Sequence, residues 1–247
     1  MTATGRSPAR VAVVTGASRG LGAAVAQFLA RQGYALIVNA RDPTRLSETV
    51  AEIERSGASV FAVPGDVTDA RTQSALEHVA HQLGRVDLLF NNASEPGPSP
   101  LPRLSELRSE DFEHIFRVNV LAPLAITQRL LPLLRTAGGR VVNISSDAAL
   151  GGYPGWGGYG ASKAALDLLS LTLANELKGS GISVVSVDPG DMRTSMHQAA
   201  FPGEDISDRP LPEITLPFWA WLLNRDPGEV SGHRFRAQSD RWEISES

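Results

Sequence analysis

Within the stretch Ser145-Ser146-Asp-Ala-Ala-Leu-Gly-Gly-Tyr-Pro-Gly-Trp-Gly-Gly-Tyr159-Gly-Ala-Ser-Lys163, a hydroxyl, a phenol and an ammonium lie near enough in the chain to meet one small carbonyl or alcohol. On a helix Tyr159 and Lys163 share one face, a turn apart. A lysine cation beside a tyrosine favours the phenolate and lowers a pKa that is about 10 in a free side chain. A drop of about two to three units needs roughly 3–4 kcal/mol of charge stabilisation, which a placed lysine and a second nearby charge can share. The product is an acid/base poised near working pH. Such a pair also arises as a ring on the core edge beside a solvated amine. Here, however, there are three tyrosines and two lysines against twenty-one arginines, and Tyr34 and Tyr153 are followed four residues on by Val38 and Gly157. Tyr159–Lys163 has no competitor at that spacing.

The rest of the chain must position this pair. With 247 residues, 42% hydrophobic content and a net charge of -4, the chain suits an ordinary globular protein with a sizeable core. No basic stripe stands out, so no nucleic-acid partner is expected. There are no cysteines, hence no disulfide, thiol nucleophile or thiolate metal site, and no metal is expected. The N-terminus MTATGRSPAR lacks the apolar region of a secretory signal. Apolar runs such as residues 216–223 are too short to span a bilayer. The expectation is a cytoplasmic protein without a membrane partner.

Short apolar runs alternate with helical periodicity. Strands are expected at 11–15, 35–40, 59–63, 86–90, 140–144 and 182–187, with a last one near His233–Ala237. Helices are expected at 21–32, from Pro43, at 69–83, 110–134 and about 158–178. Unalternated apolar strands between helices of ten to fifteen residues or more indicate a doubly wound parallel α/β sheet, covered on both faces, with ligands beyond the carboxyl strand ends. No composition break divides the chain, so a single domain over residues 1–247 is expected.

The first strand–helix turn is TGASRGLG, with Gly16, Gly20 and Gly22. The spacing differs from the G-x-G-x-x-G fingerprint, but the physics is shared. Glycines admit a ligand close to the backbone, and the helix opening near Leu21 offers free N–H groups to a pyrophosphate.

TGASRGLG, Asn91-Asn92-Ala93, Asn119, Ser146 and Tyr159-Gly-Ala-Ser-Lys163, in that order, resemble the short-chain dehydrogenase/reductase family. Ser146 stands thirteen residues before Tyr159, as that family's serine does. The likeness runs from about residue 10 to 194 and implies a Rossmann-type sheet of about seven strands and an NAD(P)-dependent oxidoreductase. It implies that Tyr159 exchanges a proton with the substrate oxygen while hydride moves to or from nicotinamide. Lys163 would lower the tyrosine pKa and hold the cofactor ribose, and Ser146 would orient the substrate oxygen. Ser145, at a strand end where a serine often only satisfies backbone groups, is the weaker candidate. Asn119 would bind, through its main chain, a water linking the lysine to solvent. Pro123, four residues on, cannot donate to the Asn119 carbonyl, so a kink there would expose it. The alternative is a kinked packing helix with nothing catalytic.

The resemblance also assigns cofactor contacts. They fall on the turn (Gly16, Ser18, Arg19, Gly20, Leu21, Gly22), on Asp66-Val67 for adenine, on Asn92-Ala93, on Pro189-Gly190 and Thr194, and on Tyr159 and Lys163. Ser94 stands where the family's Asn-Asn-Ala-Gly has glycine. NAD-specific relatives commonly end the second strand with an acid, and here that place is Ala40, followed by Arg41. Arg41 and Arg19 can bracket a 2′-phosphate, each charge-assisted bond contributing about 1.5–3 kcal/mol, so NADP is preferred to NAD. Asp42, beside Arg41, can oppose this by neutralising it.

Residues 191–215 are polar and Pro-rich and are expected to form a substrate lid. In it His197, Met196 and Phe201 either touch substrate or belong to a surface helix. The Pro-rich loop 94–108 and Trp156 are expected to shape the pocket. Residues 217–223, PFWAWLL, suit a core or a subunit-interface helix. The usual Asp-Gly-Gly after the last strand is replaced by QSDRWEISES. The expected activity is hydride transfer between NADP(H) and a small-molecule carbonyl or alcohol, in a homodimer or homotetramer built on the two long central helices. An NAD-dependent dehydrogenase and a non-catalytic cofactor-binding regulator are the rivals.

Overall fold

The computed structural model describes residues 9–244, and the expected lack of a secretory signal falls almost wholly outside them. The first half of the chain forms β1 (Arg10–Thr15), α1 (Gly20–Arg31), β2 (Tyr34–Ala40), α2 (Pro43–Arg55), β3 (Val60–Pro64), α3 (Ala70–Leu83) and β4 (Leu88–Asn91). Then come α4 (Ser109–Phe116), α5 (Ala122–Ala137), β5 (Arg140–Ile144), α6 (Ala148–Gly151), α7 (Gly157–Glu176) and β6 (Ser183–Asp188). The last are α8 (Ser195–Ala200), α9 (Leu216–Leu223), α10 (Pro227–Val230) and β7 (Arg234–Arg236).

All strand pairings are parallel, in the order β3-β2-β1-β4-β5-β6-β7. The order reverses between β1 and β4, which opens a crevice beyond their carboxyl ends. Alternate strand residues feed two cores. Val14, Leu36, Phe90 and Val185 pack with α1, α2 and α9, whereas Val13, Ile37, Leu89 and Val184 pack with α3 and α5. Each such fully buried side chain contributes about 1.5–3 kcal/mol. This is the expected Rossmann-type sheet.

Two details depart from the sequence expectations, and a third decides between two that were open. β3 is not buried on both faces: it is the sheet edge, and only Val63 in it is buried. PFWAWLL is a core helix, with Phe218 and Trp219 buried and Trp219 edge-on to Phe90 at 5.0 Å. The helix expected over 110–134 is broken by a π turn, Arg117–Leu121, between α4 and α5. Because Pro123 has no N–H for the Asn119 carbonyl, the ladder widens, and the Ala122 N–H reaches the carbonyl of Arg117 five residues back.

Candidate active site

A cleft of about 900 Å³ opens beyond the carboxyl ends of the central strands, and every expected site residue lines it except Gly22 and Asn119. At its β1 end the glycine turn is braced from β4. The Thr15 hydroxyl accepts the N–H groups of Asn92 and Ala93 at 3.0 and 3.1 Å, and Asn92 Nδ2 donates to the Thr15 and Gly16 carbonyls at 3.0 and 3.1 Å. Gly16 has φ +65°, and a Cβ there would stand 2.8 Å from Asn92 Nδ2. Gly22 serves packing rather than ligand contact, since its Cβ would meet the Gly16 carbonyl at 2.2 Å. Helix α1 starts after Arg19 with no side-chain cap and no acidic residue in its first turn. Its leading N–H groups are therefore available to an anion.

Arg19 and Arg41 line this end together with Arg45, which sequence reasoning missed although it follows Arg41 at helical spacing. Asp42 does not neutralise Arg41. It caps α2 by accepting the Thr44 and Arg45 N–H groups at 3.0 and 3.2 Å and pairs with Arg45 at 3.4 Å. Arg41 instead faces Glu95 at 3.6 Å, across the cleft from β4. Burial works to raise the Asp66 carboxyl, but Thr68, donating from its N–H and hydroxyl at 2.8 and 2.7 Å, and the Arg41 charge hold it below the usual carboxylate range. The arginines, the open helix end and the carboxylate fit a nucleotide carrying an extra phosphate.

At the other end, α7 carries Tyr159 and Lys163 against the end of β5. Lys163 is 1% exposed, its Nζ donates to the Ile144 carbonyl at 2.7 Å, and it lies 5.3 Å from the centre of the Tyr159 ring. The hydroxyls of Ser146 and Ser94 both stand beside the Tyr159 phenol. Ser146 Oγ donates to Asp147 Oδ1 at 3.0 Å and accepts the Ala148 N–H at 3.1 Å. Ser145 does not play the backbone-satisfying part expected of it, since its buried hydroxyl has no partner among the described residues. Arg234 of β7 donates to the Ser146 carbonyl at 2.7 Å and to Asp167, one turn beyond Lys163, at 2.9 Å. Nothing in the sequence signals that contact.

The electrostatics reverse one expectation. Burial raises the Tyr159 phenol above its usual value; the Ser94 and Ser146 hydroxyls pull it down, and Asp188 and Asp147 push it up. Burial likewise pushes Lys163 down to about 7, against the charge of Asp167. In the protein alone desolvation is the largest influence on both groups, so proximity by itself does not lower the phenol.

Asn119 is wholly buried in the π turn, and its side-chain amide links three segments. Its Oδ1 accepts from the Glu95 N–H at 2.8 Å and the Ser94 hydroxyl at 3.2 Å, while its Nδ2 donates to the Glu95 carbonyl and to Ser162 Oγ, both at 2.9 Å. On the β6 side Gly190, at φ +75°, donates its N–H to Asp188 Oδ1 at 3.0 Å. Thr194 caps α8 by accepting from the His197 N–H at 3.2 Å. Met196, His197 and Phe201 all line the cleft, and the His197 side chain is 12% exposed, so it is no solvated surface histidine.

Residues 10–205 match the short chain dehydrogenase family. The chain belongs to that family and is an oxidoreductase enzyme of it. It is 32% identical over 237 residues to the oxidoreductase YciK of Escherichia coli, covering 94% of this chain and 93% of that protein. It is 33% identical over 208 residues to the 3-oxoacyl-[acyl-carrier-protein] reductase FabG of Staphylococcus epidermidis, 83% of each chain. A short chain dehydrogenase from Shigella flexneri, solved in complex with NADP, superimposes with a TM-score of 0.83 at 31% identity, covering 93% of this chain and 97% of that one.

Proposed function

We propose that the chain transfers hydride between NADP(H) and a carbonyl or secondary alcohol, with Tyr159 as the general acid/base. The observation that carries this reading is the convergence of Ser146, Tyr159 and Lys163 at one end of a cleft whose other end is fitted for a phosphorylated nucleotide. Arg19 and Arg41, joined by Arg45, would hold the 2′-phosphate, the α1 N-terminus the pyrophosphate, and Asp66 the adenine amino group. Lys163 would hold the ribose, and Pro189-Gly190 and Thr194 would border the nicotinamide. The Shigella relative solved with NADP supports this choice over NAD.

NADPH held by these residues would supply a hydride to the carbonyl carbon. The carbonyl π pair moves to oxygen, where Tyr159 delivers its proton and Ser146 donates a hydrogen bond; oxidation of the alcohol runs the same steps backwards. Asn119 holds the loop after β4 against α7 and, with its main chain, would anchor the water that returns a proton to the site. Residues 191–215 would act as the lid. Exposed Leu121, Leu168 and Leu171 on the central helices supply apolar surface for a homodimer or homotetramer. A cytoplasmic location belongs to the same reading. Among the described residues no helix is long and apolar enough to cross a membrane.

Tyr159→Phe tests the reading. Turnover of any carbonyl found to be reduced should fall about a thousandfold, while NADPH still binds. Retention of most activity would place the acid/base elsewhere, and equal affinity for NADH and NADPH in a fluorescence titration would defeat the cofactor assignment.

A further inference from the structure

The cleft is segregated by charge. Its lining arginines, Arg19, Arg41 and Arg45, lie at the β1–β2 end, and its remaining lining cation, Lys163, is buried and bonded to Ile144. The substrate end carries carboxylates instead. Asp147 lies 3.0 Å from the hydroxyl of Ser146, the group that would receive the reacting oxygen, and Asp188 and Asp191 line the same wall. Arg234 and Arg236 approach Asp188 at 3.8 and 3.7 Å but do not line the cleft. His197 Nδ1 and Arg209 Nε, the latter from outside the cleft lining, both face Asp191 at 3.9 Å.

Aromatic side chains line this end as well. Trp156 stands edge-on to Tyr159 at 5.4 Å and 6.1 Å from Phe201, and His197 lies 5.0 Å from Phe201. Aromatic walls at such separations accept a further ring by offset or edge-to-face packing. An anion there meets no arginine or free lysine of the cleft lining and is repelled by Asp147.

We infer that the substrate is an uncharged carbonyl compound bearing an aromatic ring on the carbonyl side chain, and that 2-keto acids and other anionic carbonyls are excluded. This rests on the hydride-transfer reading above and names the substrate class of the same site.

Methyl benzoylformate, its free acid benzoylformate, and ethyl pyruvate separate charge from ring. With NADPH, kcat/KM for the aryl ester should exceed that for the acid by about a hundredfold, the scale of one close like-charge contact at a protein surface. It should exceed that for ethyl pyruvate by about tenfold. Asp147→Asn should shrink the ester-to-acid ratio about tenfold or more, and Trp156→Ala should collapse the ratio of aryl ester to ethyl pyruvate. A keto acid reduced as well as its ester, or a ratio unmoved by Asp147→Asn, overturns the inference. Binding is read separately, by quenching of tryptophan fluorescence in the NADP+-loaded protein, with Trp156→Phe identifying the reporter. If nothing is reduced but the ester still binds better than the acid, hydride transfer fails and the ligand class stands. If the two bind equally or the acid binds better, the ligand class falls.

Discussion

Asn119 Oδ1 accepts the Glu95 N–H at 2.8 Å, joining the π turn to the loop that leaves β4. The same amide reaches Ser162 on α7, so one buried side chain ties together three segments around the phenol. Asn119→Ala leaves the Glu95 N–H and carbonyl without the amide that meets both, although Ser162 Oγ keeps its bond to the Tyr159 carbonyl at 2.6 Å. The expected cost is about 2–4 kcal/mol in denaturant unfolding, with turnover lost faster than stability. A change below about half a kcal/mol would mean that the amide network does not hold the loop.

Arg41 and Glu95 make a second link across the cleft. Arg41→Ala should weaken NADPH binding about tenfold to a hundredfold while leaving NADH little changed, because only the 2′-phosphate is lost as a partner. Glu95→Gln should act in the opposite sense and tighten NADPH several-fold, since the guanidinium no longer has a carboxylate at 3.6 Å. Parallel titrations of both nucleotides read this directly. Equal effects on NADH and NADPH would remove Arg41 from the discriminating role.

Gly22→Ala places a methyl carbon 2.2 Å from the Gly16 carbonyl, where backbone rather than a flexible side chain must yield. Thermal and denaturant unfolding should show a loss of about 1–3 kcal/mol, and nucleotide affinity should fall because the turn is displaced. Unchanged stability would mean that the turn tolerates the shift.

Lys163 gives the free protein a pH signature. Its proton is held less readily folded, near about 7, than unfolded, so between these values the unfolded chain binds more protons. Stability contributed by this site therefore rises with pH from about 7 towards the unfolded lysine value. Relative to Lys163→Met, the wild type should gain roughly 2–4 kcal/mol between about pH 7 and pH 9.5. A difference that stays flat or falls with pH would show a lysine that remains charged when folded.

The fold was legible because β1, β2, β4, β5 and β6 are short apolar runs and the helices between them carry one apolar stripe. Composition could not show that residues 60–64 sit at the sheet edge, since edge position depends on strand order. Pro123 announced a disturbance near Asn119, but not that a widened turn would absorb it. Tyr159, Lys163 and Ser146 were legible by spacing, and the cleft does bring them together. Their pKa values were not, because desolvation depends on burial that only the packed chain reveals. The Arg41–Glu95 and Arg234–Ser146 contacts join residues 54 and 88 positions apart, beyond the reach of local pattern.

The π turn at Arg117–Leu121 also acts as a phase adjuster between two helices. A turn that closes over five residues takes up one residue more than an α turn, and an α-helix rotates about 100° per residue, so winding these same residues as regular α-helix would swing α5 by about that angle. Ile126, Leu130, Leu133 and Leu134, now buried against the sheet, would be carried towards solvent. The irregular turn beside the proposed catalytic centre thus holds the rotational register of a core helix, and a further inserted residue, which the turn has no room to absorb, should be far less tolerated than a substitution.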